Sequence, residues 1–228
     1  MGKRKRITRR GLKHDALLET AAKSTKFVEH HLHMLAIGAI VVVVAFVAVG
    51  LVMRSRRATE AAASGELATA SQALNAGMNA DAAARYQSII ETYPGSRAAG
   101  AATCYLGTIR FSEGRFDDAL ELFQTHVDRW GTRGTLGVLA LEGKAAVLEQ
   151  RRDFPGAAGV YAELADQAPE GSRARARYLA SQLRAYRSVD DWLSVQTLAR
   201  LILDETPNAP EAADARVALG EADARLGS

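Results

Sequence analysis

The fold can be predicted from the stretch LGTIRFSEGRFDDALELF, residues 106–123. It places small and aromatic residues at helical spacings on both sides of Gly114, which predicts two short helices joined by a tight turn. The small residues Gly107 and Ala119 would let the two helices approach closely, and Phe123 would fill the space against the next pair. We therefore expect a helical hairpin here.

The same pattern recurs at intervals of 37 or 38 residues. The counterparts of Phe123 are Tyr86, Tyr161 and Ala199, and eight residues after the aromatic position a helix breaker such as Pro94 recurs. A fixed period of this length predicts a stack of similar hairpins. The residues that we expect to define the repeats are Gly107, Gly114, Phe116, Ala119, Phe123, Phe154, Ala157, Tyr161, Pro94, Pro169 and Pro207.

The period divides the remaining chain into units. We expect repeats at 63–99, 100–137 and 138–175, then a fourth repeat, and finally a capping helix at the second Leu-Gly pair, Leu219-Gly220. Ser96, Ser172 and Asn208 are predicted to accept hydrogen bonds at helix starts, and the acidic pairs Asp117-Asp118 and Asp190-Asp191 to favour helix N-termini. The predicted fold of 63–228 is an all-α solenoid of about four repeats plus a capping helix.

Residues 34–53 form an uncharged run of 20 residues. As a helix, this run spans about 30 Å, the thickness of a bilayer core. A secretory signal peptide would have a shorter apolar core and a short basic leader, whereas here the leader is residues 1–33 and arginines follow at once. We expect one uncleaved transmembrane helix, with residues 54–62 as a linker to the repeats.

Charge is distributed unevenly around this segment. Residues 1–33 carry nine basic and three acidic side chains, whereas the chain from Ala58 onward is acidic. Basic flanks are retained in the cytoplasm, so the N-terminus is expected inside and the repeats outside, which in a bacterium is the periplasm. Because the excess of basic residues lies beside a membrane segment, we expect no nucleic-acid partner.

The N-terminal tail includes a modestly amphipathic segment, residues 15–33. One interpretation is a simple extension of the anchor helix; the other is a segment that lies on anionic inner-membrane lipid or on a partner's cytoplasmic loop. His30, His31 and His33 do not have the spacing of ligands that converge on one ion, so no metal is expected there.

The sequence shows no recognisable pattern of catalytic residues. The sequence contains no phosphate-binding glycine-rich loop, no zinc-protease histidine pair and no nucleophile with a plausible base, and Cys104 is its only cysteine. We therefore expect no enzyme activity, no cofactor and no small-molecule substrate. Function is expected to lie in a protein-binding surface.

Stacked hairpins form a concave face lined by the first, or A, helix of each pair. Thr108 and Leu139 are candidate groove positions on two of these helices. Four arginines on the fourth A helix share one stripe and are candidates for docking an acidic partner segment: Arg173, Arg177, Arg184 and Arg187. The alternative interpretation is an ordinary solvated face.

The repeat positions resemble those of the tetratricopeptide repeat, and the basic tail, single span and short repeat domain together resemble the YfgM-like inner-membrane proteins of bacteria. That resemblance implies an accessory subunit of the SecYEG translocon that associates with a PpiD-like membrane-anchored chaperone and helps exported polypeptides reach periplasmic chaperones. Two other interpretations stay open: a scaffold for assembly of peptidoglycan or the outer membrane, and an import-receptor-like protein with the reverse topology.

Overall fold

The computed structural model describes the backbone of residues 9–227 and the side chains of residues 34 and 36–227. Within these residues the secondary structure is entirely helical. The chain divides into two compact units between Arg57 and Ala58. The expected all-α fold is confirmed, and each unit is described below by itself.

The first unit is formed by the N-terminal part of α1, a helix that runs from Arg9 to Asn75. Its large apolar side chains between Met34 and Met53, where described, are all more than half exposed, and Phe46 is 80% exposed. By length and composition, α1 is the one helix of the described residues that could cross a membrane. The side chains of the amphipathic segment 15–33, including its three histidines, lie outside the described residues.

The second unit contains the last turns of α1 and eight further helices. These are α2 (Asn79–Thr92), α3 (Arg97–Ser112), α4 (Phe116–Trp130), α5 (Gly134–Gln150), α6 (Phe154–Gln167), α7 (Arg173–Arg187), α8 (Trp192–Glu205) and α9 (Glu211–Leu226). From α2 onward each helix packs against the next one, and α3 also packs on α5 and α7 on α9. This arrangement is a solenoid of four hairpins, with α9 as the capping helix.

A residue in the left-handed backbone region ends every A helix of the solenoid. The five residues are Gly77, Gly114, Arg152, Asp190 and Gly227, with φ of 76°, 75°, 60°, 57° and 70°. They recur at spacings of 37, 38, 38 and 37 residues, so α9 keeps the register of the other A helices. Only glycine adopts this conformation without steric cost, and therefore the turns at Arg152 and Asp190 are strained.

Helix caps agree with the sequence at two positions and differ at a third. Ser96 accepts a hydrogen bond from the Ala99 amide at 2.9 Å, and Ser172 accepts one from the Arg175 amide at 3.2 Å. Asn208, in contrast, was a wrong prediction for α9. The residue before that helix is Pro210, with φ of −53° and no side-chain cap. Proline is preorganised for a helix start, so the helix begins after it and not after Asn208.

Two aspartates also cap helices. Asp191 accepts from the Ser194 amide at 3.2 Å, in line with its expected position at the start of a helix. Asp153 accepts from the Gly156 amide at 3.0 Å and caps α6, which the sequence analysis did not predict.

The aromatic side chain of Phe123 is the centre of the second hairpin. It is 1% exposed and lies between two glycines, Gly107 of α3 and Gly143 of α5. A Cβ added at Gly107 would lie 2.8 Å from the Phe123 ring, and one added at Gly143 would also overlap it. This confirms that small residues let the helices approach around a large one.

The other repeat-defining residues occupy equivalent places in their hairpins. Ala119 and Ala157 are fully buried, Tyr161 is half-buried, and Phe116 and Phe154 are the half-buried first residues of α4 and α6. Gly114 forms the turn described above. Pro94, Pro169 and Pro207 each lie two residues after the end of the second, or B, helix of a hairpin.

Candidate protein-interaction groove

Side chains connect each of the helices α3, α5 and α7 to the next A helix of the solenoid. The Cys104 thiol of α3 donates to the Leu136 carbonyl of α5 at 3.5 Å. Arg177 of α7 donates to Glu142 of α5 at 2.7 Å, and Arg187 of α7 donates to Glu221 of α9 at 2.6 Å. The Cys104 thiol is buried, whereas the two ion pairs are partly exposed. We take the surface of the A helices that carries these ion pairs as the candidate groove.

The two predicted groove residues on α3 and on the first half of α5 are uncharged. Thr108 is exposed, and its hydroxyl donates to the Cys104 carbonyl at 3.1 Å. Leu139 is half-buried and packs against the cluster that contains Cys104 and Phe123. Both predicted groove residues thus lie on A helices, and a partner would meet a hydroxyl group and an aliphatic side chain here.

The part of the groove between α5 and α7 is charged. The Glu142 carboxylate accepts hydrogen bonds from Arg177 and from the Tyr178 hydroxyl, both at 2.7 Å. The Arg177 guanidinium also lies 4.8 Å from the centre of the Tyr178 ring. Burial, together with the hydrogen bond to Glu142, raises the pKa of Tyr178, so its hydroxyl stays a donor at neutral pH.

Tyr161 adds a second polar cluster to the same region. Burial and the neighbouring Glu149 carboxylate, with which it is hydrogen-bonded, raise the pKa of Tyr161 to about 12. Arg184 is close enough to oppose this increase. Its guanidinium donates to the Ser181 hydroxyl at 2.9 Å and has no carboxylate within ion-pair distance among the described residues.

The four arginines of the predicted stripe therefore differ in their surroundings. Arg177 and Arg187 are neutralised within the domain, the latter by Glu221 and by Asp214 at 3.8 Å. Arg173 is exposed and lines a small pocket of about 320 Å³ beside Pro207. Arg173 and Arg184 are the two members whose charge remains available for an acidic partner within the part of the chain described.

The acidic partners of the stripe were not predicted from the sequence. Glu142 and Arg177 are 35 residues apart, and Arg187 and Glu221 are 34 apart. These acidic residues could have been predicted from their spacing. Each lies slightly less than one repeat period from its arginine, on the neighbouring A helix. Their effect is to make the C-terminal half of the groove polar without giving it a large net charge.

A cleft of about 590 Å³ opens where α5, α6 and α7 meet. Its apolar wall includes Val138, Leu164, Pro169 and the Tyr178 ring, and Arg133 and Asp166 line its polar side. The cleft therefore lies beside the α5–α7 junction, whose interior is filled by buried residues of both helices such as Leu141 and Leu179.

Two reactive residue types near the groove are buried in hairpin 2. Burial raises the pKa of the Cys104 thiol to about 12, which leaves it protonated and poorly nucleophilic at neutral pH. His126 is 3% exposed, its Nδ1 is 2.9 Å from the Gly100 carbonyl oxygen, and its ring stacks on Trp130. Burial lowers the pKa of His126. Both residues have packing roles.

Comparison with protein families finds a match over less than half of the chain. The tetratricopeptide repeat family matches residues 67–133 and 106–172, two overlapping segments that together include α2 to α6. No curated protein matches the sequence.

Solved structures share the fold at low sequence identity. A tetratricopeptide repeat protein from Parabacteroides merdae ATCC 43184 aligns with a TM-score of 0.60 at 16% identity over 72% of this chain. The chain spans 60% of the length of that protein. MamA residues 41-end from Desulfovibrio magneticus RS-1 aligns with a TM-score of 0.56 at 16% identity, over 72% of this chain and 85% of that one. BtubC from P. vanneervenii aligns with a TM-score of 0.54 at 16% identity, over 75% and 84% of the two chains.

Proposed function

Because this chain carries tetratricopeptide repeats, which indicate a protein-interaction module, we propose that it is a membrane-tethered accessory of protein export. In this proposal the repeat domain faces the periplasm of a bacterium and links polypeptides that leave the Sec translocon to membrane-anchored and periplasmic chaperones. The partners would be the SecYEG translocon, a PpiD-like chaperone and the exported chains.

The observation that carries this proposal is the direct connection between an apolar helix and the repeats. The exposed apolar side chains of α1 extend to Met53, and the repeat unit begins at Ala58. Nine basic residues before the span, against three arginines directly after it, favour the N-terminus inside. A tether this short would confine the groove to the membrane surface and raise its effective concentration near emerging chains.

The groove chemistry supports a partner of mixed composition. Thr108 and Leu139 offer an uncharged surface, and Arg184 offers a charge that is not neutralised by a carboxylate. Unfolded exported segments carry both apolar and charged residues, and such segments can bind weakly along an elongated face.

Site-specific photo-crosslinking in native membranes tests this function. A photoreactive amino acid is placed at Thr108, Leu139 or Arg184, and at Gln87 on α2 as a matched exposed control outside the groove. Translocon subunits, a chaperone or exported chains captured from the groove positions but not from Gln87 would support the proposal. Capture of cell-wall or outer-membrane assembly proteins without translocon subunits would reject it in favour of an envelope scaffold.

Topology is tested separately by thiol labelling in intact cells. The variants are Thr8→Cys before the span and Glu66→Cys after it, and Cys104 serves as a silent background because burial keeps its thiol protonated. We expect an impermeant maleimide to label the chain at position 66 and not at position 8. The reverse pattern would exclude the periplasmic assignment and favour a receptor that faces the cytosol.

A further inference from the structure

The cleft between α5, α6 and α7 corresponds in register to a place that an aromatic ring fills in the preceding hairpin, α3–α4. Trp130 ends α4 and lies over Gly100 of α3, so that a Cβ added at Gly100 would be 3.0 Å from the indole ring. The residue in the register of Trp130 in the hairpin α5–α6 is Ala168, which lines the cleft. A methyl group thus stands here where the preceding hairpin has an indole.

Two further residues of the cleft are counterparts of the residues that contact Trp130. The His126 ring stacks on Trp130, and its counterpart in register, Leu164, lines the cleft. Val138, the counterpart of Gly100, lines it as well. The cleft is therefore bounded by the positions that surround the indole in the hairpin α3–α4.

Two residues of α7 form another wall of the cleft. Ala174 is exposed, whereas Tyr178 is 6% exposed and its hydroxyl donates to Glu142 at 2.7 Å. Because this hydrogen bond and the burial hold the Tyr178 ring in place, the wall offers a fixed aromatic surface. Pairs of aromatic rings attract each other beyond the effect of the area that they bury.

The charges that line the cleft balance each other. Asp166 lies 3.8 Å from Arg175 as an ion pair. Arg133 has no carboxylate within ion-pair distance among the described residues, and a guanidinium can stack on the face of an aromatic ring. With one arginine and one aspartate in its lining, the cleft carries no net charge and suits an uncharged aromatic side chain.

We propose that this cleft binds a tryptophan side chain from an extended segment of a partner protein, in the place that Trp130 fills in the hairpin α3–α4. The cavity of about 590 Å³ is within the range of pockets that hold small ligands and is large enough for an indole. The apolar walls and the Tyr178 ring would bury the indole, and Arg133 would lie at its edge. The inference concerns a site apart from Thr108, Leu139 and Arg184 and does not depend on the proposed role in export.

The probe is an uncharged peptide, GSWSG, capped at both ends and carrying fluorotryptophan. It is titrated with the full chain in detergent, and binding is followed by fluorine NMR with empty micelles as the baseline. The variant Ala168→Trp restores the residue of the preceding hairpin at the open position, and Ala174→Leu narrows the cleft from an exposed position of α7. Ala84→Leu, at an exposed alanine of α2, is the matched control. Thermal unfolding shows that each variant is folded.

We expect saturable binding to the natural chain and to Ala84→Leu, and about tenfold weaker binding, about 1.4 kcal/mol, to Ala168→Trp and Ala174→Leu. The unlabelled peptide should displace the probe, and the same peptide with leucine in place of tryptophan should not. Absence of saturable binding, equal binding to either folded cleft variant, or equal displacement by the leucine peptide would overturn the proposal. A natural chain that is dimeric, and that becomes monomeric with Ala174→Leu, would also overturn it by identifying a second copy as the occupant.

Discussion

In hairpin 2 (α3–α4) and hairpin 4 (α7–α8), the large side chain at the same interior position comes from different helices. In hairpin 2, Gly107 of the A helix faces Phe123 of the B helix. In hairpin 4 the residues in the same register are Leu183 and Ala199, both buried in one cluster. The large side chain has moved from the B helix to the A helix. The repeat thus keeps this volume filled and does not keep the same residue at either position.

The largest expected effect comes from removing the large side chain of hairpin 2. Phe123→Ala leaves a cavity between Gly107 and Gly143, and we expect a loss of about 3–5 kcal/mol in the free energy of unfolding. Urea unfolding of the detergent-solubilised chain, with Trp130 and Trp192 as reporters of the two hairpins, measures this loss. A loss of less than about 1 kcal/mol in the free energy of unfolding would show that the helices around Gly107 and Gly143 collapse into the cavity.

A size exchange within hairpin 2 tests the comparison directly. Gly107→Leu alone overlaps the Phe123 ring and should destabilise the chain by about 1–3 kcal/mol. Combined with Phe123→Ala it recreates the pair found in hairpin 4. The double variant should therefore be more stable than the sum of the single losses predicts, by about 1–3 kcal/mol. Strict additivity in a double-mutant cycle would contradict the volume argument.

The turns of the hairpins differ by a smaller free energy. Hairpin 2 has Gly114 in its turn, whereas hairpins 3 and 4 have Arg152 and Asp190 with the same positive φ. Arg152→Gly should stabilise the chain by about 1 kcal/mol, and Asp190→Gly by less, because aspartate tolerates this conformation better. Gly114→Ala should destabilise it by a similar amount. Thermal unfolding of the three variants measures whether each substitution stabilises or destabilises the chain. A loss of stability in Arg152→Gly would contradict the inference that this turn is strained.

The smallest expected effect is a pH dependence confined to hairpin 2. His126 occupies the register of Ile89, Leu164 and Ile202 in the other hairpins. Burial lowers its pKa in the folded chain, so the unfolded chain binds the proton more readily. Stability should therefore fall as the pH decreases through and below the ordinary histidine value of about 6.5.

The variant His126→Leu removes this contribution. Urea midpoints of the natural chain and the variant, compared between about pH 7.5 and 5, should diverge as the pH falls, with the natural chain losing more stability. Parallel pH profiles would show that the buried imidazole is not protonated on unfolding in this range.

Much of the fold was predictable because hairpin 2 displays small and large residues at their usual places. From Gly107, Ala119 and Phe123 the period could be followed in both directions, and two of the three proposed serine and asparagine caps are confirmed. Hairpin 4 was harder to recognise, since Ala199 replaces the aromatic residue and Asp190 replaces the glycine of the turn. Both replacements hide the repeat from a search by residue type.

The candidate groove was less predictable than the fold. Which arginines of α7 are neutralised depends on the offset between neighbouring helices, and the sequence does not display that offset. Glu142 reaches Arg177 and Glu221 reaches Arg187 only because successive A helices lie side by side. The cap at Asn208 failed for a local reason, since Pro210 places the start of α9 two residues later.

The cleft between α5, α6 and α7 has a consequence for motion. α3 packs directly on α5, and α7 on α9, whereas the α5–α7 junction has about 590 Å³ of open space beside it and is connected on the groove side by the partly exposed Glu142 and Arg177. Ion pairs exposed to water hold their partners weakly and are screened by salt. A change in the width of this cleft would therefore widen or narrow the groove where α5 meets α7.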